Sequence, residues 1–188
     1  SVDFKIGSAE KRGGKLHVSH SGFPDIPGVP NWSRLVMGSG RFEAYITNLT
    51  VGTGQYGASG LVHAANSSGI LDVSGDVTIG CYSGENTVMG SLILCDGMAF
   101  KIGSSPSSRG NLHIGGSAVF GGIAILSMGT NRFDGYVRSL EIGNKSSGYA
   151  GWARADMGEV REGFLDVSGS VKICLGTYAQ AAVVIATN

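Results

Sequence analysis

Five residues near the start of the chain, Phe4-Lys5-Ile6-Gly7-Ser8, return unchanged as Phe100-Lys101-Ile102-Gly103-Ser104, an offset of 96. The same offset relates Gly14-Lys15-Leu16-His17-Val18 to Gly110-Asn111-Leu112-His113-Ile114. Three further blocks follow in the same order. Met37 to Tyr45 matches Met128 to Tyr136, Leu49-Thr50-Val51-Gly52 matches Leu140-Glu141-Ile142-Gly143, and Leu71-Asp72-Val73-Ser74-Gly75 matches Leu165-Asp166-Val167-Ser168-Gly169. A long-period repeat of this kind restricts the fold to architectures that stack or array similar units. It divides the chain into copy one, residues 1–97, and copy two, residues 98–188, in one continuous body.

Within each block the apolar residues alternate. Phe4-x-Ile6, Leu16-x-Val18, Leu49-x-Val51, Leu71-x-Val73, Val77-x-Ile79 and Leu92-x-Leu94 each place two apolar side chains on one face of a strand. A glycine follows most of them, and glycine admits the positive φ of a sharp corner. No long 3.6-residue stripe accompanies them. The pattern predicts an all-β chain, a parallel β-solenoid whose coils stack at roughly 4.8 Å. Ile6, Val18, Val51, Val73 and Ile79 should point inward, with Ile102, Ile114, Ile142, Val167 and Ile173 in the matching places. The alternative is an antiparallel β-sandwich, disfavoured by the scarcity of hairpin turns: no Asn-Gly or Asp-Gly lies between paired alternating runs except Asp96-Gly97.

Composition excludes several classes. The 32 Gly lack a strict period and there are only 4 Pro, so a collagen helix is out. Hydrophobic residues at 42% are too many for a disordered chain. Basic and acidic residues balance at 14 each, with no basic run, so nothing marks a nucleic-acid partner or an anionic membrane. No apolar run is long enough for membrane insertion, and a start at Ser1 without Met fits a processed or trimmed protein.

The strand blocks, above all Ile70-Leu71-Asp72-Val73-Ser74-Gly75-Asp76-Val77-Thr78-Ile79-Gly80 and Phe100-Lys101-Ile102-Gly103 through Leu112-His113-Ile114-Gly115-Gly116, resemble the Gly-rich strand repeats of bacterial autotransporter passengers and related secreted β-solenoids. The resemblance implies an extracellular or cell-surface, non-catalytic, right-handed β-helix with adhesive or scaffold roles. The chain differs from that family in its long non-repetitive insertions, its three Cys and the lack of a visible anchoring barrel.

Candidate chemistry is sparse. Asp72 and Asp166 recur with their local frame, which points to a structural place on a turn or an outward strand position rather than to a catalytic acid. His17 and His113 are repeat-equivalent and should face away from the core, and no third ligand accompanies His17 and His20. Arg41-Phe42-Glu43 and Arg132-Phe133-Asp134 should put both charges on one face and the aromatic on the other. Cys81, Cys95 and Cys174 fit no metal spacing; Cys81 and Cys95 could pair, or all three could be buried thiols. Four Asn-x-Ser/Thr sequences, at Asn31, Asn48, Asn66 and Asn144, are weak glycosylation matches in a Ser-rich chain. No catalytic residue, metal site or cofactor is expected.

The copies diverge in loops that bear aromatic residues. Trp32 lies in residues 23–34 with three of the prolines; a second divergent place sets Gln55 to Ser68, with Tyr56, against Lys145 to Glu162, with Tyr149 and Trp152; a third sets Tyr82 to Gly90 against Thr177 to Ala182. Trp32, Tyr56, Tyr149 and Trp152 are candidate lateral or ligand contacts, to a neighbour or to glycans. The phase of the repeat also makes Phe4 and Ile6 at one end, and Val183 and Ile185 at the other, candidate assembly ends. The expected function is an extracellular structural protein that polymerises head to tail. The alternatives are a solenoid segment of a larger adhesin and, least favoured, a carbohydrate-active β-helix enzyme.

Overall fold

The computed structural model describes residues 3–19, 33–53, 59–64, 67–81, 89–94, 97–116, 123–129, 132–144, 152–157, 160–173 and 180–185. Among them there is no helix, and every strand pairing is parallel. The first coil is β1 (Phe4–Ile6), β2 (Lys15–Val18) and β3 (Ser33–Val36). The second is β4 (Arg41–Ile46), β5 (Asn48–Val51) and β6 (Ser59–Ala64). The third is β7 (Ser68–Val73), β8 (Val77–Cys81) and β9 (Met89–Leu94). The fourth is β10 (Gly97–Ile102), β11 (Gly110–Gly116) and β12 (Ile123–Met128). In the fifth, β13 (Arg132–Asn144) runs unbroken around a corner and serves two faces, before β14 (Trp152–Met157). The sixth is β15 (Glu162–Val167), β16 (Val171–Ile173) and β17 (Gln180–Ile185).

Each face is a ladder along the stack: β1-β4-β7-β10-β13-β15, β2-β5-β8-β11-β13-β16 and β3-β6-β9-β12-β14-β17. The parallel β-solenoid is therefore the fold, and the antiparallel sandwich is not. One sequence copy is three coils, and the internal junction between copies is the β7–β10 pairing with its two companion faces.

The alternating residues fill the interior. Val51, Val73, Ile79, Ile102, Ile114 and Ile142 are fully buried, and Val18 nearly so. Ile6 and Val167 pack against the core without being enclosed. Ile173 is the exception, 42% exposed although it pairs in register with buried Ile142. It lies on the last coil, where no further coil covers it. A coil at the end of the stack has a neighbouring coil on one side only, so part of its apolar row stays open.

Glycine has two specific uses. Gly52, Gly80, Gly115 and Gly143 each follow an inward Val or Ile and turn the same corner with φ between 61° and 64°. Gly69 and Gly163 let backbones approach. A Cβ built on Gly69 would lie 2.2 Å from the Phe42 carbonyl oxygen, and one on Gly163 1.8 Å from that of Phe133. Each closes a repeated motif: two stacked Phe, then Gly. Phe4 and Phe42 have ring centroids 5.7 Å apart, and Phe100 and Phe133 5.5 Å, both tilted by 39°.

At the junction the first face slips. Inside each copy, Phe42 opposes Gly69 and Phe133 opposes Gly163. Between copies, Phe100 opposes Leu71, two residues away from Gly69, which faces Met98 instead. The second face does not slip, since Val77 opposes Leu112 just as Leu49 opposes Val77. The corner segment before β11 absorbs the difference.

Candidate functional site

The slip brings together side chains that the repeat alone keeps apart. It lines up Tyr45, Asp72, Lys101, Asp134 and Phe164 as one row on successive strands of the first face. This row faces outward, because it alternates with the buried row of Ile46, Val73 and Ile102.

Arginines staple outward aspartates of this face. From the corner before β2, Arg12 Nη1 donates to the Asp72 carbonyl at 3.2 Å and to Asp72 Oδ1 at 2.7 Å. The equivalent staple in copy two runs from Arg109 before β11. Its Nη1 donates to the Asp166 carbonyl at 2.9 Å and its Nη2 to Asp166 Oδ2 at 2.6 Å. Each arginine starts in the first coil of its copy and ends on the third, and Arg109 passes over the Tyr136 ring at 5.7 Å. The two aspartates of the Leu-Asp-Val-Ser-Gly repeat thus hold their own copies together. They sit three strands apart along the stack, roughly 14 Å, beyond the spacing of about 5–9.5 Å of a carboxylate pair that cleaves a glycosidic bond.

The hydrogen bond from Arg109, more than its charge, holds the Asp166 carboxyl below its ordinary value, against a smaller opposing effect of burial. Arg41 does the same for Glu43. A depressed folded pKa contributes stability that is present above the unfolded value, about 3.9 for Asp, and is lost as pH falls through the folded one. Asp166→Asn should therefore lower the denaturation midpoint at neutral pH. The gap to wild type should close in the acid range below about pH 4. Denaturant titrations across that range check it; a gap that persists unchanged into acid refutes the staple's charge dependence.

The repeated triplets behave as their alternation predicts. Phe42 and Phe133 are buried, while Arg41 Nε bonds Glu43 Oε1 at 2.6 Å and Arg132 Nε bonds Asp134 Oδ2 at 2.7 Å. His17 and His113 point outward, His17 Nε2 3.5 Å from Thr53 Oγ1 and His113 Nε2 3.4 Å from Ser139 Oγ. Among the described residues no three His, Cys, Asp or Glu come together as a metal site.

Of the candidate contact residues, Trp152 opens strand β14 rather than sitting in a loop, because its backbone pairs with Ile123 and Gln180. It is 37% exposed beside Ile123 at 38%, a small apolar patch on the third face. Trp32, Tyr56 and Tyr149 lie outside the described residues, as do His20, Cys95 and Cys174. Phe4 and Ile6 are on the first coil, Phe4 37% exposed. Val183 and Ile185 are on β17 in the last, opposite Ala155 and Met157.

Arg12, Arg109, Lys101, Tyr136 and Phe164 escape the sequence reading. Lys101 and Tyr136 sit inside repeat blocks, where they look like ordinary outward positions. The two arginines are offset by 97 rather than 96, so block alignment leaves them unmatched. The legible signal is an Arg before each glycine that leads into the second strand of a copy.

No family model matches this chain, and no curated protein or solved structure is significantly similar to it. Its function must be read from its own geometry.

Proposed function

We propose that this protein is a structural β-solenoid that acts outside the cell, its end coils taking up further copies of the same chain to form a continuous fibre or layer. The observation that carries this reading is the internal junction. The sixth coil repeats the third and the first repeats the fourth, so the two outer end faces are copies of the two faces that already meet inside the molecule. Transferring the junction register by the repeat sets Phe4 on Leu165, Lys5 on Asp166 and Ile6 on Val167, from the pairs Phe100–Leu71, Lys101–Asp72 and Ile102–Val73. On the second face it sets Leu16 on Val171 and Val18 on Ile173, from Leu112–Val77 and Ile114–Ile79. On the third it sets Leu35 on Val183, from Leu126–Leu92.

The end faces need such a cover. Phe4, Val171 and Ile173 are 37%, 54% and 42% exposed, whereas their repeat equivalents Phe100, Val77 and Ile79 are fully buried. Unpaired strand edges add unsatisfied donors and acceptors. A head-to-tail contact that does not close on itself propagates as a filament. The likeness of the Gly-rich strands to autotransporter passengers supports an extracellular setting. It also supports a second reading, in which the same junction recurs within one longer adhesive chain.

Two measurements test the proposal. Electron microscopy of the purified chain should show unbranched rods, with a repeat of about 4.8 Å along the axis by fibre diffraction. A native subunit mass near 19.3 kDa supports stacking of separate chains. A strictly monomeric chain at high concentration defeats self-stacking, and a much larger native mass favours the longer array.

A further inference from the structure

On the side of the solenoid, where the slipped register sets copy one beside copy two, a cleft of ≈ 280 Å³ opens between Arg12 and Asp72 on one side and Asp134, Tyr136 and Phe164 on the other, with Lys101 between them. Copy one shows why the opening belongs to copy two. There the equivalent residues are Lys5, Glu43 and Ile70, and Lys5 Nζ meets Glu43 Oε2 at 3.4 Å. In copy two Asp134 replaces the glutamate and is one methylene shorter. It lies directly across from Lys101 on the neighbouring strand, yet among the described residues Lys101 forms no ion pair. Arg132 engages Asp134 Oδ2, while Asp134 Oδ1 is buried with no hydrogen-bond partner, on a residue only 9% exposed. Phe164 replaces Ile70 and packs edge-on against Tyr136 at 4.7 Å.

The cleft therefore combines three demands. A buried carboxylate oxygen needs a donor, since leaving it unmatched forfeits its hydration without return. An ammonium needs an acceptor. Exposed Phe164, packed against half-buried Tyr136, offers an apolar wall. Both arginines are already occupied by Asp72 and Asp134, so a phosphate or sulfate would find one free cation and two carboxylates. A neutral polyhydroxyl ring fits better. Adjacent hydroxyls donate to one partner and accept from the other, and the C–H face of a pyranose covers an aromatic side chain. The volume lies just under the ~300–1,000 Å³ of typical ligand pockets, room for one ring rather than a chain.

We propose that this cleft binds a single neutral pyranose unit of a glycan, with Asp134 accepting, Lys101 donating, and Phe164 and Tyr136 stacking. The site lies on an outward row of the first face, so it stays accessible whether or not the ends are covered, and it does not rest on the stacking proposal.

The test is an NMR titration of isotope-labelled protein with the methyl glycosides of glucose, galactose, mannose and N-acetylglucosamine, and separately with sulfate. At least one sugar should shift the amides of Lys101, Asp134, Tyr136 and Phe164, with a dissociation constant on the order of 1 mM. Phe164→Ala should weaken binding about tenfold. Asp134→Glu, the residue copy one uses, should fold normally, reach Lys101 and abolish binding. The proposal is overturned if no sugar perturbs the cleft, if sulfate alone does, or if the folded Asp134→Glu protein binds as well as wild type.

Discussion

Phe100→Ala should destabilise the protein by about 3–5 kcal/mol, the cost of removing a buried aromatic and leaving its cavity. Phe100 is fully buried, with one neighbour in each direction along the stack: Leu71 on β7 and the Phe133 ring on β13. The loss falls on the junction between copies. In a solenoid, stability is close to a sum over coils and the contacts between neighbouring coils. Weakening one interface by this much, against a typical total of about 5–15 kcal/mol, should uncouple the two halves. Denaturant unfolding of the variant should then show two transitions where wild type shows one. The control is its repeat partner. Phe4→Ala should cost under about 1.5 kcal/mol in the monomer, because Phe4 is already 37% exposed. If the two variants lose equal stability in dilute monomer, the junction is not the seam described here.

The second large effect concerns assembly. Ile6→Asp and Ile173→Asp should each raise the concentration needed for polymer about 100-fold or more, since a carboxylate would face an apolar row with no counter-charge. Both residues belong to one proposed contact, from opposite ends. The two variants therefore predict something a general loss of folding does not. An Ile6→Asp subunit keeps an intact sixth coil, and an Ile173→Asp subunit an intact first coil. A small fraction of either, mixed with wild type, should cap growing filaments and shorten them. Circular dichroism checks that the monomers still fold. Filaments of unchanged length in the mixtures would rule out end-to-end growth through these faces.

The same arithmetic links the two predictions. In a filament Phe4 gains the cover that Phe100 has, so Phe4→Ala should become costly only when the protein is assembled. Measured at two protein concentrations, that shift reports the burial of the first coil directly.

Much of the fold was legible in the residues. Alternation beside corner glycines identified the inward positions, and Val51, Val73, Ile79, Ile102, Ile114 and Ile142 are all enclosed. The reading erred where burial depends on having a neighbour, as at Ile173, because periodicity reports which way a side chain faces and not whether anything covers it. It also assigned Trp152 to a loop, since a strand whose partners come from distant coils leaves only a short and ambiguous local pattern: Trp152-Ala153-Arg154-Ala155-Asp156-Met157 alternates, but weakly. The structural reading of Asp72 and Asp166 follows from their duplication, but their arginine partners do not, being 60 and 57 residues away.

What the amino-acid order determined by itself is local and periodic: the strand type, the corners, the division into two copies and the face each residue presents. These depend on side-chain alternation at a spacing of two residues and on the positive φ that glycine tolerates, both readable within a few residues. The tertiary structure alone decided the register between copies. A two-residue slip leaves every inward side chain inward, because the period of a strand is two, so the alternation cannot reveal it. That slip places the Arg12–Asp72 staple beside Lys101 and Asp134, and with it creates the cleft on the side of the solenoid.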